Sequence, residues 1–247
     1  MAGGTLSPKA AVWDNGVMCG RFVQSQDPEF YADAFRVETI KANPLPASFN
    51  VAPTDQVYAV AEYDGARLLG SFRWGLIPWW AKDRKIGSRN INARSETIAD
   101  KPAFRDSFVK RRCLIPADGF YEWKRLPKGK LPHYIYRADG RPLAFAGLWS
   151  SWKDPDSAER VRTCTIITGR PNDLVADIHD RMPLILGEES WSDWLDVTIE
   201  DHVELDRLLA VYPGSEMAEH PVSTLVNKVA NNFPECIEPL QTPAVEQ

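Results

Sequence analysis

The stretch "QVYAVAEYDGARLLGSFRWGLIP", residues 56–78, decides the fold class. Two strand-like arms flank Asp64-Gly65, a dipeptide suited to the two-residue turn of a β-hairpin, where the central positions need positive φ. Working outward, "RCLIPADGFYEW" (112–123), "HYIYRADGRPLAFAGLWSSW" (133–152), "VRTCTIITG" (161–169), "PLILG" (183–187) and "HPVSTLVNKV" (220–229) also read as strands. The second of these is expected to turn back on itself at Asp139-Gly140.

Helical signals are fewer and do not alternate strictly with the strands. Asp27-Pro28 starts a short helix, with Asp as cap and Pro in the first turn, and Phe30, Ala34 and Phe35 are expected to share one face. "ADKPAFRDSFVKR" (99–111) places Phe104 and Phe108 four residues apart, "PNDLVADIH" (171–179) turns helical after Pro171, and "SWSDWLD" (190–196) and "DHVELDRLLA" (201–210) complete the set. The order argues for an α+β fold. It is read as a single domain, with largely antiparallel β-sheets in a barrel-like core flanked by helices.

Composition narrows the function. Hydrophobic residues make up 44% and charged residues 26%, the balance of a soluble globular protein. The formal charge of −5 argues against binding nucleic acid through overall charge, but leaves room for a local basic groove. Lys82 to Arg94 and Lys101 to Arg112 are two such locally basic stretches. No apolar run reaches the roughly 18 residues of a membrane span, and residues 1–17 lack the apolar segment of a secretory signal. The four cysteines and four histidines form no C-x-x-C or metal-ligand spacing. A reducing cytosol, no metal and no cofactor are expected.

The chemistry centres on "MCGRF", residues 18–22. If the chain began at Cys19, it would carry a free α-amine beside a thiol. An α-amine, with a pKa of about 7.7–8.0, is roughly a quarter to a third neutral near pH 7.4, against about one in a thousand for a lysine. Such an amine adds to an aldehyde, and the thiol then closes a five-membered thiazolidine in an intramolecular step. The alternative is a buried structural cysteine. "RNINARSET" (89–97), "IPADGFYEW" (115–123) and "DIHDRMPLIL" (177–186) add Asn92, Glu122 and His179. Asn can orient an amine, and Glu and His are the usual proton-transfer groups. Each also has a plain structural reading: a turn Asn, a solvated strand Glu, a helix-end His. Of the nine tryptophans most are expected in the core, with Trp79, Trp80 and Trp123 partly exposed.

Taken in order, Met-Cys-Gly-Arg-Phe (18–22), Asn-Val-Ala-Pro-Thr (50–54), Arg-Trp-Gly-Leu-Ile-Pro-Trp-Trp (73–80), Asn-Ala-Arg-Ser-Glu-Thr (92–97), Arg-Cys-Leu-Ile-Pro-Ala-Asp-Gly-Phe-Tyr-Glu-Trp (112–123) and His-Asp-Arg-Met-Pro (179–183) resemble the SOS response-associated peptidase (SRAP) family. The resemblance covers residues 18–235, leaving 1–17 as a disordered or non-native extension and 236–247 as a tail. It implies a covalent thiazolidine crosslink between Cys19 and the ring-opened aldehyde of an abasic site in single-stranded DNA. It also implies self-removal of residues before the cysteine. Cys19 would be the nucleophile, Asn92 would position its amine, and Glu122 and His179 would move protons. Arg21, Arg94 and Arg181 would meet phosphates, and Asn50, Trp79, Trp80 and Trp123 would lie along the DNA. A monomer acting in the cytoplasm is expected. Arg170 departs from the small residue usual at that place. Residues 1–17 are the larger departure, since with them attached Cys19 has an amide in place of an amine. Met18 is therefore expected to be the true start, with self-processing as the second route. A non-covalent single-strand binding module and a general cysteine peptidase are the competing readings.

Overall fold

A computed structural model describes residues 19–240. Residues 1–17 lie outside that range. The strands are β1 (Phe22–Gln24), β2 (Thr39–Ile40), β3 (Ser48–Val51), β4 (Gln56–Tyr63), β5 (Ala66–Trp74), β6 (Asn92–Arg94), β7 (Arg112–Ala117), β8 (Gly119–Arg125), β9 (Lys130–Arg137), β10 (Leu143–Lys153), β11 (Arg160–Gly169), β12 (Met182–Pro183) and β13 (Met217–Pro221). Short helices α1 (Pro28–Ala34), α2 (Arg105–Lys110), α3 (Asp173–Ala176), α4 (Trp191–Leu195) and α5 (His202–Leu208) join them.

One sheet runs β12-β11-β10-β7-β4-β5-β2, and a parallel pairing of β11 with β5 closes its middle five strands into a barrel. The second sheet runs β13-β9-β8-β1-β3. The hairpin that sets the barrel forms as expected: Tyr63 faces Ala66, and Asp64 and Gly65 take φ of 52° and 75°. Alternation along β4 then separates two apolar layers. Val57 and Ala59 join Trp74, Ile115, Phe145 and Ile166 in a cluster that continues onto Phe22, Phe120 and Ile135 of the second sheet. Tyr58 and Val60 face the other way, packing with Phe35, Phe108, Trp191 and Trp194 from the helical layer.

Four expectations need correction. "RCLIPADGFYEW" is two strands in different sheets. The chain leaves the barrel at Asp118, whose carboxylate accepts from Ser25 N, Ser25 Oγ and Tyr31 Oη and anchors the crossing. Asp139-Gly140 turns, but β9 and β10 on either side do not pair. β9 pairs with β8 and β13, and Pro142 at the start of β10 has no N–H to give a ladder. The last strand ends at Pro221, near where the expected one began, and Thr224–Asn227 is a 3₁₀ turn capped by Ser223. In α1, Asp27 caps the helix as expected by accepting from Phe30 N, but Phe30 is exposed and Tyr31, Ala32 and Phe35 form the buried side.

The ordered body also runs past 235. Cys236 is buried, and Leu240 N donates to Pro221 O. Among the described residues no helix is long and apolar enough to cross a membrane.

Candidate active site

β1 pairs with β8 through Phe22–Phe120 and Val23–Gly119, and Tyr121 N donates to Arg21 O at 3.0 Å. This ladder carries the chain back to Cys19, which arrives beside Glu122, 103 positions away in sequence. Cys19 N donates to Glu122 Oε1 at 2.8 Å, and the two residues are 3% and 2% exposed. Burial raises the Glu122 carboxyl above the ordinary carboxylate range, and nearby His179 and the Cys19 N–H only partly oppose it. Burial, then Glu122, push the Cys19 thiol well above its ordinary value. Burial thus works against a resting thiolate and raises the proton affinity of the acid beside the Cys19 nitrogen. Cys19 itself sits at φ 46°, a left-handed conformation that costs a non-glycine residue ~1–2 kcal/mol.

The loop after α3 brings His179 in from the other sheet. Arg181 N donates to His179 Nδ1 at 3.2 Å, so the neutral ring carries its proton on Nε2. Nδ1 also lies 3.1 Å from Asp180 Oδ1, a contact available when the ring is protonated. Asn92 opens β6 and is half-buried; β6 runs parallel to β11 with Asn92 against Ile166 and Arg94 against Thr168. Arg94 is exposed. Arg181 is not a free phosphate hook, because both of its terminal nitrogens bond Glu96 and one also donates to Thr168 O at 2.6 Å. The same pairing holds the Glu96 carboxyl below its ordinary value.

Asn50 also differs from expectation. It is 2% exposed, and its amide donates to the carbonyls of Val226, Lys228 and Asn231 while Oδ1 accepts from Arg21 Nη1. Buried in this way it ties segment 226–231 to β3. Arg21 is half-buried and adds its own bond to Val226 O at 2.9 Å. Trp123 is half-buried, donating to Asn227 Oδ1 at 2.8 Å, while Trp79 and Trp80 are 59% and 45% exposed. Trp74, Trp152, Trp191 and Trp194 are core. The basic stretch ending at Arg112 loses that residue, which is 1% exposed and bonds the carbonyls of Phe108, Val109, Trp194, Asp196 and Ile199.

Two structural features near these residues have no local sequence signal of their own. The Glu96–Arg181 clamp joins two motifs through space, and segment 226–231 forms one wall beside Arg21. Glu96 lies within the quoted "NARSET" run, so an acidic residue two positions after Arg94 was the available clue. Among the described residues no group of three or more His, Cys, Asp or Glu could hold a metal ion.

The family model described as SOS response associated peptidase (SRAP) matches residues 18–229. The chain is 45% identical over 223 residues to abasic site processing protein YoqW of Bacillus subtilis, covering 90% of this chain and 99% of that one. It is 36% identical over 232 residues to abasic site processing protein YedK of Escherichia coli, covering 90% of this chain and all of that one. A crystal structure of a protein from Bacteroides thetaiotaomicron superposes with a TM-score of 0.83 at 27% identity, over 90% of this chain and 100% of that one. With this match over most of its length, the chain belongs to the SRAP family.

Proposed function

We propose that this chain processes abasic sites in single-stranded DNA, becoming covalently attached through Cys19. The observation that carries the reading is the 2.8 Å contact between the Cys19 nitrogen and the buried Glu122, whose carboxyl burial shifts upward. The Cys19 ammonium gives a proton to the Glu122 carboxylate, and the resulting neutral amine adds to the aldehyde carbon of the opened sugar and gives a carbinolamine. Glu122 protonates the departing hydroxyl, which leaves as water, and the C=N bond forms. The thiol then adds to the same carbon and its proton returns to Glu122, the ring nitrogen keeps its own hydrogen, and the thiazolidine closes with water as the leaving group. His179, with a proton on Nε2, is placed to open the cyclic sugar or to reprotonate it on reversal. Asn92 at the start of β6 orients the amine. Arg94 meets a phosphate, and Trp79 and Trp80 offer faces for unstacked bases. Arg21 acts through the wall it holds.

The reaction needs Cys19 as residue one. Hydrolysis of the 18–19 peptide bond puts the water hydroxyl on the carbonyl and a proton on the Cys19 nitrogen, and Glu122 is positioned to deliver that proton. The left-handed Cys19 contributes, since its strain disappears once no carbonyl precedes it. A general cysteine peptidase is less well supported, because its nucleophile is a thiolate and this thiol is raised.

The test is a Cys19→Ser variant beside wild type on an abasic single strand, with the N-terminus of each protein read by intact mass. Wild type beginning at residue 19 should give a heat-stable adduct. The serine variant should give only an imine that borohydride traps. A serine adduct as stable as wild type without reductant, or active protein that retains residues 1–18, would overturn the reading.

A further inference from the structure

His133 lies directly across from Glu122 in the β8–β9 ladder. Opposed residues of an antiparallel pair leave the same sheet face with Cβ atoms about 4.5–5.5 Å apart. His133 Nδ1 is 2.6 Å from Glu219 Oε2 on β13, whose side chain is 32% exposed while that of His133 is 9% exposed. The other ring nitrogen, Nε2, is shielded from solvent and has no protein partner. A carboxylate on Nδ1 fixes the proton there, so Nε2 presents a buried lone pair. Buried acceptors are normally satisfied. Across the ladder, Glu122 accepts the Cys19 N–H through Oε1. The ionisable groups gathered around this face are Glu122 on β8, Glu219 on β13, Cys19 ahead of β1 and His179 from the loop after α3.

We propose that Glu122, His133 and Glu219 form a proton relay that connects the buried acid to solvent, with His133 as a positioning and relay residue. The inference rests on the crosslinking reading above. It answers a need that reading creates: converting a Cys19 ammonium to a neutral thiazolidine releases one proton inside a closed pocket. The ammonium gives that proton to the Glu122 carboxylate. The carboxyl O–H passes it to His133 Nε2, by carboxyl rotation or through one water at hydrogen-bond spacing of roughly 3 Å. The Nδ1 proton moves to Glu219, and Glu219 releases it outside. The ring ends neutral with its proton on Nε2, and reversal of the adduct runs the same transfers inward.

The experiment uses the full-length gene product, matured to Cys19, as wild type, His133→Phe, His133→Ala and Glu219→Gln. Adduct formation with an abasic single strand is followed by stopped flow with a pH indicator in weak buffer, on both sides of neutrality. Wild type should release one proton in step with the adduct. His133→Phe should slow both by roughly tenfold, less than the ~10²–10⁴ lost with a directly acting acid, with a changed pH profile and unchanged affinity for undamaged strand. Glu219→Gln, on the rim, should slow proton release in the same direction, and added imidazole should restore His133→Ala. Wild-type rates and pH profiles in both His133→Phe and Glu219→Gln would overturn the relay. So would a slow His133→Ala that imidazole fails to rescue. A second readout needs no DNA: the His133 ring-nitrogen NMR shifts should show the Nδ1–H tautomer in wild type and lose that preference in Glu219→Gln. A wild type without that preference rejects the relay even if adducts form, and its presence and loss support the relay even if wild type forms no adduct, a result that would count against the crosslinking reading alone.

Discussion

Replacing Glu122 with Gln separates two things the carboxyl does. The amide oxygen of Gln keeps the acceptor for the Cys19 nitrogen, now held at 2.8 Å, so the position of the nucleophile is retained. What is lost is the proton. A positioned acid or base supplies ~10²–10⁴-fold, or roughly 3–5 kcal/mol of barrier. Because positioning survives and both Cys19 nucleophiles and His179 remain, the loss should fall near the lower end, about 10²-fold in single-turnover crosslinking. The same substitution has a stability signature of known sign. Burial raises the folded-state pKa of Glu122 above its unfolded value of about 4.3, so the stability it contributes is fully present below that value and is lost as pH rises through the folded one. Gln has no such loss. The variant should therefore gain on wild type in denaturant melts as pH rises from mildly acid to neutral. A variant that crosslinks at the wild-type rate, with a stability difference flat in pH, would refute the assignment of a buried proton-holding acid at this position.

Other expectations follow from the same geometry. Asn50→Ala removes the donor for three carbonyls, and should cost about 2–3 kcal/mol in chemical denaturation and speed hydrogen exchange over 226–231. Arg94→Ala should weaken binding to undamaged single strand and flatten the slope of log affinity against log salt by about 0.7, the contribution of one phosphate. Arg181→Ala should act differently, because Arg181 is engaged by Glu96. The pair holds Glu96 below its usual range, so its stability is present above the unfolded carboxylate pKa and is lost as pH falls through the folded one. Removing Arg181 should soften that acid limb in melts across acidic pH, with little change in the salt slope.

The sequence by itself determined whatever short-range chemistry dictates. Asp64-Gly65 sets the hairpin because few other pairs accept two left-handed residues in a row. Asp27 caps α1 because its carboxylate reaches the N–H three residues on. The family was legible as ordered motifs, and the exposed Trp79 and Trp80 stood apart from the core tryptophans as expected. The tertiary structure decided everything that depends on which distant surfaces meet. "RCLIPADGFYEW" reads as one strand until Asp118 finds Ser25 and Tyr31, roughly ninety residues upstream, and the chain changes sheets. Asn50 and Arg181 look like ligand contacts until Val226 and Glu96 consume their hydrogen bonds. The state of Glu122 is the sharpest case. Its residue type is fixed by one letter, but its upward pKa shift comes first from desolvation, and desolvation is a property of the packed strands around it, which no neighbouring letter records.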